Sequence, residues 1–463
     1  MDFNNQVQIN AEIFRAYDIR GQIDKTLNKQ VAYQIGLAIG SYAIDANADK
    51  VAVGRDGRLS SPSLAKALIE GLLATGCKVV DFGMLATPML YSTAYLADCN
   101  SSVMVTGSHN PPDYNGFKIT IAGDSLAGKQ IQHLYQIICR QDFKQGAGEL
   151  TCAEIYPAYH KYIIDTIKLK RKLKVVVDCG NGVAGAFAPQ ILQDLGCEII
   201  TLFCEVDGNF PNHHPDPAKL QNLQDLINAV KLHNADIGLA FDGDGDRVGV
   251  ITNCGRLIYP DVLLQLFAQD VLSRNLNAQI IFDVKCSQQV AKTITKAGGA
   301  ALMWQTGHSL IKKKMRQTGA LLGGEMSGHI FFKERWFGFD DGIYSAVRLL
   351  EILSSSKQTC AQVFAKFKQP LSTPEININV DEERKFKIIA DLQNLNNWHD
   401  GEICTLDGVR VDYKDGFGLI RASNTTPVLV LRFEAQTADK LAQIQQVFIN
   451  NLRSVAPNLE INL

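Results

Sequence analysis

One pattern of hydrophobic and polar positions occurs three times along the chain. KVAVGRDGRLSSPSLAKALIEGLLATGCKVVDFG (50–83) runs from a β-branched stretch through a polar loop into a segment of helical period. After Thr75-Gly76 it becomes β-branched again. KVVVDCGNGVAGAFAPQILQDLGCEIITLFC (174–204) and QIIFDVKCSQQVAKTITKAGGAALMWQTG (279–307) repeat the order. In each, a glycine near the helix end (Gly76, Gly196, and Gly298 or Gly299) suits a left-handed cap. Strands of Val and Ile joined by amphipathic helices predict mixed or parallel sheets covered by helices. After about residue 368 the pattern changes. A proline-punctuated linker, QPLSTPEININV, leads to alternating strands (EININV, VLVLRFEA) and a final helical stretch, TADKLAQIQQVFINNLRS. The expected organisation is α/β: three related mixed α/β domains (1–152, 153–256, 257–368) and a smaller C-terminal α+β domain (369–463).

Composition narrows the function classes. The 463 residues are too many for one core. A net charge of −2 gives no general pull towards nucleic acid or anionic membrane, so neither is an expected partner. The N-terminal MDFNNQVQINAEIF has no basic stretch followed by an apolar core, and no apolar run approaches bilayer length. The 11 cysteines include no C-x-x-C pair, which argues against a disulfide framework or a zinc site. Reduced thiols in a cytoplasmic monomer are expected.

Four short segments carry chemistry. In MVTGSHNPPDYNGFKI (104–119) an apolar strand meets two prolines, so Thr106-Gly107-Ser108-His109-Asn110 forms a rigid bend presenting the Ser108 hydroxyl. Ordinary turn chemistry is the alternative reading. AFDGDGDR (240–247) sets Asp242, Asp244 and Asp246 at alternate positions between glycines, where they converge on one hard cation such as Mg²⁺. A calcium EF-hand is excluded, since its sixth and twelfth positions would hold Arg247 and Asn253. Arg247 suits a phosphate oxygen beside the metal. GGEMSGH (323–329) offers Glu325 to vicinal hydroxyls and His329 for proton or hydroxyl work, although a polar hairpin reads equally well. RASNTTP (421–427) is either a phosphate cradle or a capped turn. Arg20 in FRAYDIRG (14–21), Lys118, Lys285 and His308 are single cationic or imidazole groups that count only in combination. Together they ask for phosphoryl transfer on a sugar, with Ser108 as phosphate carrier.

With these motifs in one order, the chain resembles the α-D-phosphohexomutase superfamily, nearest its bacterial phosphomannomutase/phosphoglucomutase branch. The resemblance implies four domains around a central cleft and a phosphoserine at Ser108, whose phosphate joins Asp242, Asp244 and Asp246 on Mg²⁺. It implies reversible transfer between the 1- and 6-positions of mannose and glucose phosphates through a hexose 1,6-bisphosphate. Hexose phosphates are then the partners. Substrate binding falls to Tyr17, Lys285, His308, Glu325, Ser327, His329, Arg421, Ser423, Asn424 and Thr425. Arg20, Lys118, His109, Arg247 and His329 join Ser108 in the catalytic group; Lys118, Arg20, His109 and His329 are the proton-carrier candidates. A phosphoserine and a substrate phosphate each bring about −1.5 to −2 charge, so the cations have work to do. The rivals are a phosphoglucosamine mutase, disfavoured by Thr106-Gly107 and Met326, a sugar-phosphate phosphatase, and a non-catalytic binding protein.

Overall fold

The computed structural model describes residues 9–423 and 426–461. Four sheets organise them, and the first three share a plan. In the first, Lys50–Arg55 lies between the parallel strands Lys78–Met84 and Ser101–Val105, and Ser101–Val105 turns back antiparallel into Tyr114–Ile121. In the second, Lys174–Asp178 lies between Glu198–Leu202 and Ile237–Phe241, with Val248–Thr252 returning antiparallel. In the third, Gln279–Asp283 lies between Ala300–Trp304 and Leu322–Gly324, with Ile330–Phe332 returning. The hairpin joining the last two strands therefore occupies the same place each time. Its three copies carry the Ser108 bend, the three-aspartate loop and the Glu325–His329 loop.

The central strands are continuous apolar runs, KVVVD and IGLAF among them, because helices cover both faces of a mostly parallel sheet. Gly76, Gly196 and Gly298 take positive φ at the helix ends, so Gly298 rather than Gly299 supplies the third cap. The C-terminal domain holds elements that the sequence pattern did not reveal: helix Glu382–Gln393 and the hairpin of Val409–Tyr413 with Gly416–Ala422.

A single apolar core runs through parts of all three repeats, from Met89 and Leu90 through Val177 and Leu239 to Phe282 and Phe332. The C-terminal domain has its own core around Trp398, Phe433 and Phe448. It meets the third repeat through a small apolar contact of Val284 with Phe417 and Leu419. Polar bonds complete the junction: Arg410 Nη1 reaches the carbonyls of Val284 (2.6 Å) and Cys286 (2.7 Å), and Ser287 Oγ donates to Glu434 (2.7 Å). Burial thus fixes the first three domains together, while the fourth is held mainly by groups that water can replace one at a time.

Helix Gly342–Ser354 packs against strands of the second and third sheets. Its N-cap, Asp341, accepts from Tyr344 N and Tyr159 Oη, each at 2.8 Å. Burial pushes this carboxyl up to about 7. An acid whose folded pKa is raised binds its proton more tightly when folded, so its contribution to stability falls as pH rises from about 4 to 7. Asp341→Asn keeps the cap and removes that titration. The variant is expected to gain stability over wild type across this window, by at most about 4 kcal/mol at pH 8. Parallel urea melts from pH 4 to 8 measure it; a constant difference would refute it.

Candidate active site

The three equivalent hairpins meet. Ser108 is buried in the left-handed region at φ +49°, and its Oγ donates to Asp242 Oδ2 at 3.0 Å. His109 Nδ1 lies 3.3 Å from the same Oγ. The aspartate loop hangs between antiparallel strands, and its turn is drawn in by bonds from Gly245 N (3.1 Å) and Arg247 N (3.2 Å) to Asp242 Oδ1. A Cβ on Gly243 would stand 2.3 Å from the Ser108 carbonyl oxygen, so only glycine lets the two loops touch.

Asp242, Asp244 and Asp246 are fully buried, and one carboxylate oxygen from each lies within 4.8 Å of the others. Asp244 Oδ1 is buried without a hydrogen-bond partner. Burial and the other two carboxylates push Asp242 well above the ordinary range, so a further positive charge is needed for all three to ionise. Oxygen-only donors with orphaned lone pairs fit a hard divalent cation.

The fixed cations surround this trio. Lys118 bonds to Asp244 (2.7 Å) and Asp246, in the same carboxylate trio whose Asp242 takes the Ser108 hydroxyl; the antiparallel pairing of Met104 with Lys118 sets it there. Burial works against its charge, but these two aspartates hold its pKa well above the usual lysine value. Arg247 Nε lies 3.8 Å from Asp242 and 3.9 Å from Asp246. Arg20 bonds to Asp18 and to Asn110 of the serine loop.

The third hairpin closes the far side. Backbone pairing of Arg247 with His329 ties it to the aspartate loop. His329 Nδ1 lies 2.9 Å from Glu325 and its Nε2 3.3 Å from Asp246. Burial disfavours the imidazolium, yet Asp246 and Glu325 raise His329 to about 9. Ser327 Oγ is 3.0 Å from His329 Nδ1, and Glu325 accepts from Gly307 N. His308, the first residue of helix His308–Thr318, packs between the rings of His329 and Tyr17 at 5.7 and 6.5 Å. Burial, then Lys312 and Lys118, keep it neutral. Tyr17 Oη donates to Thr306 O (2.7 Å), and Lys285 pairs with Glu375 (2.8 Å).

The fourth hairpin comes from the separate core. Arg421 Nε bonds to Asp407 (3.0 Å), and Ser423 Oγ meets Thr426 Oγ1 (2.8 Å). Buried Lys385 holds this turn by the carbonyls of Ser423 (2.7 Å) and Thr426 (3.1 Å). Asn424 and Thr425 lie outside the described residues.

Sequence reasoning missed several groups. Thr87 donates to Asp244, and Asp340 pairs with Lys312 at 2.9 Å behind His308. Asp56 and Arg58 support the serine loop. A signal for Asp56 was present: each repeat's first strand ends at or next to a buried aspartate (Asp56, Asp178, Asp283). Gly107 leaves room for Arg58, whose Cζ would stand 2.6 Å from a Cβ there.

Three repeated hairpins that bring a hydroxyl, a carboxylate trio and a sugar-suited loop to one point, faced by a loop from a fourth domain, define the phosphohexomutase class. Residues 11–145, 157–255 and 259–370 match the alpha/beta/alpha domains I, II and III described as phosphoglucomutase/phosphomannomutase, and residues 375–451 match its C-terminal domain. The chain belongs to this family, in the α-D-phosphohexomutase superfamily. It is 60% identical over 451 residues to a phosphomannomutase/phosphoglucomutase of Pseudomonas aeruginosa, covering 97% of each chain. It is 53% identical over 446 residues to a phosphoglucomutase of Neisseria gonorrhoeae, covering 95% of this chain and 96% of that one. A crystal structure of a phosphoglucomutase/phosphomannomutase family protein from Burkholderia thailandensis superposes with a TM-score of 0.94 at 50% identity, covering 98% of this chain and all of the other.

Proposed function

We propose that this chain interconverts hexose 1-phosphates and 6-phosphates, mannose and glucose among them, by way of a phosphoserine at Ser108 and a hexose 1,6-bisphosphate. The observation that carries this is Ser108 Oγ bonded to Asp242 inside the buried carboxylate trio, with Lys118 and Arg247 against the same carboxylates. Asp242, Asp244 and Asp246 would hold Mg²⁺, joined by the phosphate of Ser108. The ion supplies charge neutralisation for phosphoryl oxygens.

In the first half-reaction the bond from Ser108 Oγ to phosphorus breaks, and one forms from phosphorus to the free sugar hydroxyl. Arg20, Lys118 and Arg247 offset the charge on the phosphoryl oxygens. The sugar hydroxyl gives up its proton to a carrier on its side of phosphorus and the released Ser108 Oγ takes one up; His109, whose ring nitrogen lies against Oγ, is the candidate for the second transfer. The bisphosphate then turns over, and its other phosphoryl group returns to Ser108. Two orientations require one grip on the idle phosphate: Arg421, Ser423, Asn424 and Thr425, with Lys285 and His308 as further substrate-binding groups. Glu325 and Ser327 take the sugar hydroxyls in either orientation, and Tyr17, packed beside His308, joins the substrate-binding groups. No helix among the described residues is long and apolar enough to cross a membrane, in keeping with a cytoplasmic enzyme.

The test is a turnover panel of mannose, glucose and N-acetylglucosamine 1-phosphates, with Mg²⁺ and trace hexose 1,6-bisphosphate, followed by phosphorus NMR. Mannose and glucose 6-phosphates with little free phosphate are expected. Turnover of the amino sugar alone would move the activity to a phosphoglucosamine mutase, and free phosphate as main product would make it a phosphatase.

A further inference from the structure

The serine loop is held in a shape that its own residues do not favour. Ser108 is a non-glycine residue at positive φ, and the carbonyls of Ser108, Asn110, Pro111 and Tyr114 turn towards one point. That point is the guanidinium of Arg58, 1% exposed. Its Nη2 donates to Ser108 O and Asn110 O, each at 2.7 Å, and its Nη1 to Pro111 O (2.6 Å) and Tyr114 O (3.0 Å).

Asp56 anchors the guanidinium and reaches the other side of the same turn. Arg58 Nε lies 3.2 Å from Asp56 Oδ2, which also accepts from Thr106 Oγ1 (2.7 Å) and Gly107 N (3.3 Å). Thr106 Oγ1 in turn accepts from Ser108 N at 2.8 Å. The N–H of Ser108 thus hangs from Asp56 through Thr106, and its C=O from Arg58. The second domain covers the clamp: the Phe210 ring lies 5.0 Å from the guanidinium, and a Cβ on Gly208 would stand 2.8 Å from Arg58 Cα. The third repeat shares the aspartate part of this arrangement: Asp283, at the end of the equivalent strand, accepts from Met326 N of the sugar loop at 3.2 Å, as Asp56 does from Gly107 N.

We propose that Arg58, anchored by Asp56, is a positioning residue that gathers four carbonyls of the serine loop and fixes Ser108 Oγ against the carboxylate trio. The inference rests on the reading of Ser108 as phosphoryl carrier. Arg58 bonds to backbone and to Asp56, not to the reacting hydroxyl. Only a planar fork with five N–H donors serves four carbonyls and a carboxylate together; a lysine has three donors on one nitrogen. Losing the clamp lets the loop relax, and displacing a reacting atom by about 1 Å costs on the order of 100-fold in rate.

The experiment compares wild type, Arg58→Lys and Arg58→Ala, the last with and without millimolar methylguanidinium. Readouts are kcat and KM for glucose 1-phosphate, phosphate on Ser108 by intact mass after incubation with glucose 1,6-bisphosphate, and the melting temperature. For Arg58→Lys, kcat is expected to fall about 100-fold with KM within about threefold of wild type. Methylguanidinium is expected to raise the kcat of Arg58→Ala and leave wild type unchanged. Should Arg58→Ala not fold, Arg58→Lys decides alone. Arg58→Lys with kcat within twofold of wild type would overturn the proposal while leaving the carrier reading intact. So would a kcat deficit that vanishes once rates are expressed per folded molecule. A wild type that takes up no phosphate on Ser108 would overturn the carrier reading and the proposal with it.

Discussion

Ser108→Ala is expected to lower turnover by about 10⁴-fold or more while leaving the fold in place. On the proposed mechanism the substitution removes the atom that carries the phosphoryl group between the two half-reactions, and no neighbouring side chain among the described residues offers a replacement in the same place. His109 is adjacent but its ring nitrogen is 3.3 Å from Oγ, and Lys118 is committed to Asp244 and Asp246. The structural cost is small. The variant gives up one bond to Asp242, worth about 1 kcal/mol, and Arg58 still holds the loop by its carbonyls. The melting temperature should move by no more than about 4 °C. A coupled assay with trace hexose 1,6-bisphosphate, run beside a thermal melt, gives both numbers. Wild-type turnover in the variant would end the carrier assignment.

Asp244→Asn should separate metal affinity from folding. Asp244 is buried, bonds to Thr87 and Lys118 through Oδ2, and leaves Oδ1 without a partner. The amide keeps the bond with Thr87 but removes one of three negative charges from the proposed ligand set. Mg²⁺ affinity of chelator-treated protein, measured by calorimetry, is expected to drop at least about 100-fold, since outer-shell changes alone cost 10- to 100-fold. Wild type should lose activity with the chelator and recover it with Mg²⁺. Unchanged affinity in the variant would place the ion elsewhere. The second buried cluster able to hold an ion, Asp246 with His329 and Asp340, would then be the place to look.

The chemical vocabulary of the site was legible in the sequence because each motif is contiguous. TGSHNPP, DGDGDR, GEMSGH and RASNTTP each lie between two strands, so period and turn chemistry placed them on loops without knowledge of the fold. The three repeats were legible for the same reason: a parallel strand-helix-strand unit is written in local hydrophobic period. What period does not carry is partner choice. Nothing local in GFKI says that Lys118 pairs with the aspartates of another domain; the pairing of Tyr114–Ile121 against Ser101–Val105 sets it there. Arg58 looked like any loop arginine. Its four acceptors lie 50 to 56 residues away and belong to the backbone, which has the same atoms in every sequence.

The sequence by itself determined which groups are available and that each would stand on a turn, because strands, caps and tight glycine loops are set by interactions a few residues long. Only the tertiary structure decided that three turns are one structural position repeated, that a shared apolar core brings them to one point, and that the fourth loop arrives on a separate core. Those are consequences of sheets packing on sheets through helices. The side chains that packing buries together, Arg58 on the serine loop and Asp340 behind His308, are distant in the chain and meet only when it folds.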